Sequence, residues 1–328
     1  MARKIVGLSV LVLAGALAVE AGAQTPQPQA PTFRTGTSLV ALNVVVTDLK
    51  QQFESGLRAE DFEIYEDGVR QKVEFFAASE VPLDLILLID SSSSMTDKVE
   101  AVHKAASGFI ETMRPSDRAA VVSFADGVQV LQPLTTDRAL VRQAIGRSGA
   151  KGATALHNAL YVALKEFGRP AVGGPDVRRQ AIALLSDGED TSSLISFEDV
   201  LEMAKRSGVA IYTIAMKSDL TGGQQVQGRR YFSQSDFAMK QLAAETGAKP
   251  FFPDTVADLT DVYDAIAKEL ASQYSLGYVP RNVRDDGRYR RVIVRVADRP
   301  ELKPRTRTGY FPSPVDTLAK HSDGSGGR

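Results

Sequence analysis

The first pattern along the chain is an apolar residue at every second position, which occurs near both ends of the folded part. The alternating positions are Leu42, Val44 and Val46 in the N-terminal segment and Val292, Val294 and Val296 in the C-terminal segment. A period of two predicts half-buried strands. Asp67 and Gly68 predict a hairpin turn between strands at Phe62–Ile64 and Val73–Phe75. Each segment has too few strands to bury a face by itself, so we predict that the two pack together.

The second pattern occupies residues 81–274, where short apolar runs alternate with amphipathic stretches. The apolar runs are Leu83–Ile89, Ala119–Phe124, Ala181–Leu185 and Val209–Met216, and the amphipathic stretches include 156–167 and 197–204. Continuous apolar runs are typical of parallel strands covered on both faces, and apolar residues at a period of 3.6 predict helices. We therefore predict an α/β fold: a doubly wound, mostly parallel sheet over 81–274, inserted in a small all-β flanking domain formed by 33–80 and 275–312. Its ligand site is expected beyond the carboxyl ends of the strands.

The N-terminus has the order of a secretory signal. Arg3 and Lys4 precede the apolar run Ile5–Val19, and small residues from Ala21 to Ala23 follow it. This order predicts a signal peptide over 1–23 and export to the periplasm or the extracellular space. A helix of 15 residues would span only about 22 Å of a hydrocarbon core of about 30 Å, so we expect cleavage and no stable membrane span, with an uncleaved anchor as the alternative. Residues 24–32 are predicted to be a Pro/Gln-rich leader and residues 313–328 a disordered tail.

Composition then narrows the possible functions. The 328 residues carry a formal charge of -1, with no cysteine and three histidines. The near-zero charge provides no chain-wide field for nucleic acid, so we expect no nucleic-acid partner. The absence of cysteine excludes disulfides, thiolate metal sites and a cysteine nucleophile.

Hydroxyl and carboxyl side chains follow the predicted strands at the points where a ligand is expected. Asp90, Ser92 and Ser94 come directly after the first apolar run, Thr154 lies where a helix begins, and Asp187 follows a later strand. All five side chains provide hard oxygen ligands, which suit Mg²⁺ or Mn²⁺. The sequence therefore predicts a divalent-cation site that needs neither histidine nor cysteine.

These residues resemble the metal-ion-dependent adhesion site of von Willebrand factor type A domains. The resemblance covers 81–274 and extends to Gly-Ala-Thr-Ala-Leu at 152–156 and Leu-Leu-Ser-Asp-Gly at 184–188; the wider layout is similar to bacterial VWFA-related proteins of acidobacteria. It implies that Asp90 and Asp187 bind the cation through water, that the two serines and Thr154 bind it directly, and that one position is left for a partner's carboxylate. The chain departs from the family pattern at Ser93 and Ala153, where glycines are common, and Ser93 is expected to restrict the loop backbone.

Other interpretations of the same residues stay open. A strand-end aspartate followed by serines also forms an Asx turn that caps a helix. Ser92 or Ser94 could be a hydrolase nucleophile, with a base among His103, His157 and His321. We expect no enzyme, because the Gly-x-Ser-x-Gly motif is absent and His157 is expected to face solvent on a helix.

Two further segments carry weaker expectations. Residues 281–307 contain ten basic and four acidic residues, which fits either a polyanion-binding face or a solvated strand edge. Residues 217–235 are predicted to be a loop after a strand.

Taken together, the sequence predicts an exported, non-enzymatic binding protein that uses Mg²⁺ or Mn²⁺ to bind an Asp or Glu of a protein partner. The alternatives are an envelope scaffold with a structural metal, or a metal-assisted hydrolase.

Overall fold

The structure is a computed structural model that describes residues 39–78, 81–167, 178–187, 189–216, 233–282, 284 and 286–312. The predicted signal peptide, leader and tail lie outside these residues, and so does most of the loop predicted over 217–235. None of the helices in the described part of the chain is long and apolar enough to span a bilayer.

The strands and helices have the following bounds. The strands are β1 Val40–Thr47, β2 Phe62–Glu66, β3 Val69–Gln71, β4 Phe75–Ala78, β5 Leu83–Asp90, β6 Arg118–Phe124, β7 Val128–Thr135, β8 Arg179–Ser186, β9 Ala210–Ala215, β10 Pro250–Phe251, β11 Tyr274–Tyr278, β12 Arg290–Val296, β13 Lys303–Arg305 and β14 Gly309–Tyr310. The helices are α1 Val99–Glu111, α2 Arg138–Arg147, α3 Leu156–Phe167, α4 Phe197–Ser207, α5 Gln234–Glu245 and α6 Leu259–Ala271. Short 3-10 turns cover Ala59–Asp61, Ser93–Lys98 and Val256–Asp258.

A six-stranded sheet forms the centre of the α/β part, in the order β10-β9-β8-β5-β6-β7. All its neighbouring strands are parallel except β6 and β7. Helices α1, α2 and α6 pack on one face and α3, α4 and α5 on the other. Because both faces are covered, every residue of β5 is buried. The predicted doubly wound, mostly parallel fold is confirmed.

Strand β7 was not predicted from the sequence. Gln129, Gln132 and Pro133 interrupt its apolar residues, so no continuous run marks it. The strand lies at the edge of the sheet and only one side of it is hydrogen-bonded, which is where proline is tolerated in a strand.

Two four-stranded sheets flank the central one, in the orders β13-β1-β11-β4 and β14-β12-β2-β3. Each combines strands from the N-terminal and C-terminal segments, which lie about 200 residues apart in the chain. Their inner faces share one apolar core, in which Leu42, Val44, Ile64 and Leu276 are almost completely buried. The alternation predicted for β12 is present, since its residues are buried and exposed in turn.

The hairpin at Asp67 and Gly68 exists, but its second strand was predicted wrongly. Both turn residues have positive φ, at 47° and 82°, which matches the tight two-residue turn that this dipeptide favours. So short a turn pairs Glu66 directly with Val69, and the second strand is therefore β3. Strand β4, which was assigned to the hairpin, pairs instead with β11 in the other sheet.

The chain enters and leaves the α/β part through neighbouring strands, since β4 and β11 are paired and Ala78 lies opposite Tyr274. We call this pair of connections the crossing. The buried guanidinium of Arg179 donates hydrogen bonds to residues on both sides of it. Its Nε donates to the carbonyl of Val81 at 2.9 Å, and its Nη1 donates to the carbonyl of Leu270 and, at 3.0 Å, to Gln273. Burial lowers the pKa of Arg179 to about 10.

Several arginines of the basic C-terminal segment are used within the fold. Arg290 pairs with the buried Glu66, Arg299 with Glu54 and Glu301, and Arg305 with Glu269, while Arg307 donates to the carbonyl of Ala41 at 2.9 Å. These contacts give part of the basic excess a structural use that the sequence interpretation did not consider.

Candidate metal centre

The topology brings three of the predicted segments to one edge of the central sheet. Strands β5 and β8 are parallel neighbours, and β5 ends at Asp90 while β8 ends at Ser186, one residue before Asp187. Thr154 lies two residues before α3 begins. Parallel strands end at a common edge, and the structure therefore places these loops side by side.

Asp90 is fixed by hydrogen bonds from two directions. Its Oδ1 accepts from the backbone N–H of Ser92 at 2.8 Å, which is the bond of an Asx turn, and its Oδ2 accepts from the hydroxyl of Ser186. Burial raises the pKa of the Asp90 carboxyl above its usual value, although these hydrogen bonds act in the opposite direction. The Asx turn is thus present, and it orients a buried carboxylate.

Asp187 links the second loop to the first. Its Oδ1 accepts from the Ser94 hydroxyl at 2.7 Å, and the hydroxyls of Ser94 and Ser92 are 3.0 Å apart. Its Oδ2 contacts the ammonium of Lys98, which also lies 3.3 Å from the carbonyl oxygen of Ser94. The structure therefore brings two serine hydroxyls and this carboxylate into one hydrogen-bonded group.

Thr154 is positioned through its backbone. Its carbonyl oxygen accepts from the N–H groups of Thr191 and Ser192 at 2.8 and 3.1 Å, and its own N–H donates to the Thr191 hydroxyl at 3.1 Å. The Thr154 loop is thereby attached to the loop that follows Asp187. We use the name oxygen cluster for the five predicted residues Asp90, Ser92, Ser94, Thr154 and Asp187.

Ser93, which departs from the family pattern, joins the first loop to the Thr154 loop. Its N–H donates to the carbonyl of Gly152 at 3.0 Å, and its hydroxyl accepts from the N–H of Gly152 at 3.0 Å. Ser93 is not among the residues with positive φ, so the restriction expected there does not arise. Gly152 has a φ of 94°, and an added Cβ would lie 2.9 Å from the Asp126 carboxylate, so the glycine is needed at that position.

The sequence interpretation missed several residues that hold this edge together. Lys98 and Ser186 contact the two carboxylates, and Thr191 positions Thr154. The signal for Ser186 was its place at the end of β8, next to Asp187. Lys98 has no local signal, because its partner is 89 residues away in the sequence.

The histidines make their contacts away from the serines of the cluster. His103 Nε2 lies 2.7 Å from the Ser148 hydroxyl. His157 was expected to face solvent, but its side chain is only 17% exposed, with Nδ1 3.1 Å from the carbonyl oxygen of Ile195 and 3.5 Å from Asp190. It is partly buried because the loop after Asp187 folds back over the start of α3. His321 lies outside the described residues.

The donor set fits a hard divalent cation. Two carboxylates and three hydroxyls provide only oxygen, which Mg²⁺ and Mn²⁺ prefer with several waters retained. Over the described ranges, no group of three or more His, Cys, Asp or Glu side chains is close enough to hold a metal. A metal at this edge would therefore depend on hydroxyl ligands in addition to the acids.

The fold and this edge define a doubly wound α/β domain whose strand ends carry hydroxyl and carboxyl side chains. The chain belongs to the von Willebrand factor type A domain family: the sequence profile of that domain matches residues 84–265, more than half of the chain. The resemblance inferred from the sequence is confirmed. Domains of this family form a protein-interaction fold, and they commonly bind a divalent metal.

The chain is also similar to proteins named UPF0353. Those of Mycobacterium tuberculosis and Mycobacterium marinum are each 26% identical over 200 residues, which cover 57% of this chain and 60% of the relative. The one from Mycolicibacterium paratuberculosis is 28% identical over 201 residues with the same coverage. The match thus spans about 60% of the length of these relatives.

Several solved structures are similar to parts of this chain. The von Willebrand factor type A protein from Catenulispora acidiphila has a TM-score of 0.48 at 12% identity and covers 83% of this chain and 71% of that chain. The vWF domain of the type V pili tip protein Mfa5 from Porphyromonas gingivalis has a TM-score of 0.43 at 16% identity, over 57% of this chain and 94% of that chain. Proximal thread matrix protein 1 from the mussel byssus, described with a zinc-occupied MIDAS motif, has a TM-score of 0.47 at 18% identity and covers 60% of this chain and 50% of that chain.

Proposed function

We propose that this chain is an exported, non-enzymatic binding protein that holds Mg²⁺ or Mn²⁺ in the oxygen cluster and binds an Asp or Glu side chain of a protein partner. The observation that carries the proposal is the convergence of Asp90, Ser92, Ser94 and Asp187 at the strand ends, with Thr154 tied to the same loops. When bound, the cation supplies a Lewis-acidic centre with a position for a carboxylate.

The residues of the chain would share the work of holding the ion. The hydroxyls of Ser92, Ser94 and Thr154 would be direct ligands, and Asp90 and Asp187 would hold bound water and supply negative charge. Few direct carboxylate ligands leave a cation electrophilic, which favours an acidic side chain as the last ligand. The contacts of His103 with Ser148 and of His157 with the loop after Asp187 support a binding role over hydrolysis, because neither imidazole is bonded to a cluster serine.

Cation titration and partner capture test this function. The full chain is titrated with MgCl₂ and MnCl₂ by calorimetry, then used to capture partners from cell-envelope extracts with and without chelator. We expect a single cation site, and capture that is lost in chelator and in Asp90→Ala or Thr154→Ala. Asp264→Ala, an exposed acid on α6, is the matched control and should behave as the wild type.

Capture that persists unchanged in chelator and in both variants would leave only the scaffold alternative. Turnover of a substrate that is abolished by Ser92→Ala, with the metal still bound, would instead support the hydrolase alternative.

Export is tested separately. Mass spectrometry of the protein made in its own cells should show a chain that lacks residues 1–23, in the periplasmic or extracellular fraction. An intact N-terminus in the cytoplasmic fraction would contradict export.

A further inference from the structure

Lys98 is a buried lysine in direct contact with the oxygen cluster. Its side chain is 10% exposed and that of its partner Asp187 is fully buried. Lysine is rarely buried unless it is paired, and here the partner is one of the two carboxylates of the candidate cation site. The ammonium contacts Asp187 Oδ2, while Oδ1 of the same carboxylate accepts from the Ser94 hydroxyl. One carboxylate thus joins an internal cation to a candidate metal ligand.

The formal charges of the oxygen cluster and Lys98 can be compared with and without a divalent ion. Asp90 and Asp187 carry two negative charges against the one positive charge of Lys98, which leaves an excess of one negative charge. A divalent cation would change this to an excess of one positive charge. With a neutral residue at position 98, the loaded group would instead be neutral. Because the group is buried, water screens these charges weakly.

We propose that Lys98 is an internal counter-ion that compensates Asp187 in the metal-free protein, weakens cation binding, and gives the cation-loaded site the positive charge that attracts a carboxylate. This inference rests on the proposed cation site. The ammonium and the cation compete for the charge of one carboxylate, so the lysine lowers affinity for the metal. The same charge raises affinity for an anionic ligand once the metal is bound.

The first experiment measures cation affinity in the full chain. MgCl₂ and MnCl₂ are titrated by calorimetry into the wild type and into Lys98→Gln, whose amide is neutral and still donates hydrogen bonds. We expect Lys98→Gln to bind each cation about tenfold or more tightly. Lys98→Arg keeps the charge and should stay within about threefold of the wild type. Lys104→Met, at an exposed lysine of α1, should not change the affinity.

Thermal unfolding gives a second readout that needs no partner protein. In chelator, Lys98→Gln should unfold at a lower temperature than the wild type, because Asp187 loses its counter-ion, and saturating Mg²⁺ should raise its midpoint by more than that of the wild type. Lys98→Met, which also removes the hydrogen bonds, should show the same pattern with a larger loss in chelator.

Acetate then probes the charge of the loaded site. Water-proton relaxation of the Mn²⁺-loaded protein reports acetate binding, and we expect weaker acetate binding in Lys98→Gln than in the wild type. Equal or stronger acetate binding in the variant would overturn the role in ligand attraction. Wild-type cation affinity in a folded Lys98→Gln would overturn the counter-ion role alone. A wild-type chain that binds neither cation would overturn this inference and the proposed function together.

Discussion

Two buried charged groups in this molecule have opposite balances. In the flanking β sheets, Glu66 is enclosed by three donors: Arg290 at 3.2 Å on Oε1, and the hydroxyls of Tyr278 and Tyr310, both at 2.8 Å, on Oε2. We call these four residues the Glu66 cluster. One acid faces one base, so the group is balanced by its own side chains.

The oxygen cluster differs because it holds two buried carboxylates, Asp90 and Asp187, and the ammonium of Lys98 pairs with the second of them. Burying an uncompensated charge is costly, and proteins keep such an imbalance mainly where a ligand or metal completes it. This difference fits a role of the Glu66 cluster in the fold, and it agrees with the binding role proposed for the oxygen cluster. The following predictions test this difference.

The largest effect is expected from breaking the balanced group. Glu66→Ala leaves the guanidinium of Arg290 buried without its acid, which should cost about 3–5 kcal/mol in the free energy of unfolding, measured with urea. Arg70→Ala removes a solvent-exposed pair with Glu63 in the same hairpin and should cost at most about 1 kcal/mol. Similar losses in the two variants would contradict the distinction.

The next effect concerns the unbalanced group and its cation. At a Mg²⁺ concentration about one hundred times the dissociation constant, the wild type should gain about 2.7 kcal/mol of stability over the chelated protein. Asp187→Asn should abolish this gain, because it removes charge from the cluster. Glu66→Ala, if it folds, should keep the stability gained from Mg²⁺, because this substitution changes the Glu66 cluster and not the oxygen cluster. A Mg²⁺ response that survives in Asp187→Asn would place the ion elsewhere.

A smaller effect is expected within the Glu66 cluster. Tyr310→Phe removes one of the two hydroxyl donors to Oε2, which should cost about 2 kcal/mol by urea unfolding and should not alter cation affinity. Tyr65→Phe is the control, because the Tyr65 hydroxyl donates to Glu63, a carboxylate that is only partly buried. A change in cation affinity in Tyr310→Phe would show that the two groups are coupled.

The smallest effect on stability should come from Ser93. Ser93→Ala removes the hydroxyl that accepts from Gly152 and should cost about 0.5–1 kcal/mol, because the residue is exposed. Cation affinity, measured by calorimetry, should fall several-fold. The reason is that this hydrogen bond aligns the Thr154 loop with the loop that follows β5. Unchanged affinity would show that the backbone bond between the same residues is sufficient.

The sequence predicted the parts of this fold that local pattern determines. Buried parallel strands such as β5 are visible in the sequence as continuous apolar runs, and the amphipathic stretch at 197–204 forms α4, which is capped by Ser196 and followed by Gly208 with a φ of 71°. Strand β7 was missed because an edge strand need not be apolar, and the second hairpin strand was wrong because a tight turn pairs the nearest residues.

The sequence predicted which residues could bind the cation, but it did not predict which basic group pairs with their carboxylates. Asp90 and Asp187 follow strands and were therefore visible in the pattern, but Lys98 looks like any lysine before an amphipathic helix. Its role depends on a contact across 89 residues. His157 was misread for the same reason, since the loop that covers it comes from beyond the end of α3. Spacing along the chain predicts which residues lie at the same edge of the sheet. Which basic group neutralises a carboxylate depends instead on contacts between elements that are distant in the chain.

The paired crossing of β4 and β11 has a mechanical consequence. If a partner pulls on the strand ends of the central sheet, the load carried by the backbone leaves the α/β part through two strands that meet the flanking sheet at the same level, at Ala78 and Tyr274. Both backbones are then pulled in one direction, so the hydrogen bonds between β4 and β11 are not sheared. If the chain is held at β1, the shear falls on the pairing of β11 with β1, where five residue pairs share it at once. Hydrogen bonds loaded together resist force better than bonds opened one after another, so a chain loaded in this way would open β1 from β11 before β4 from β11.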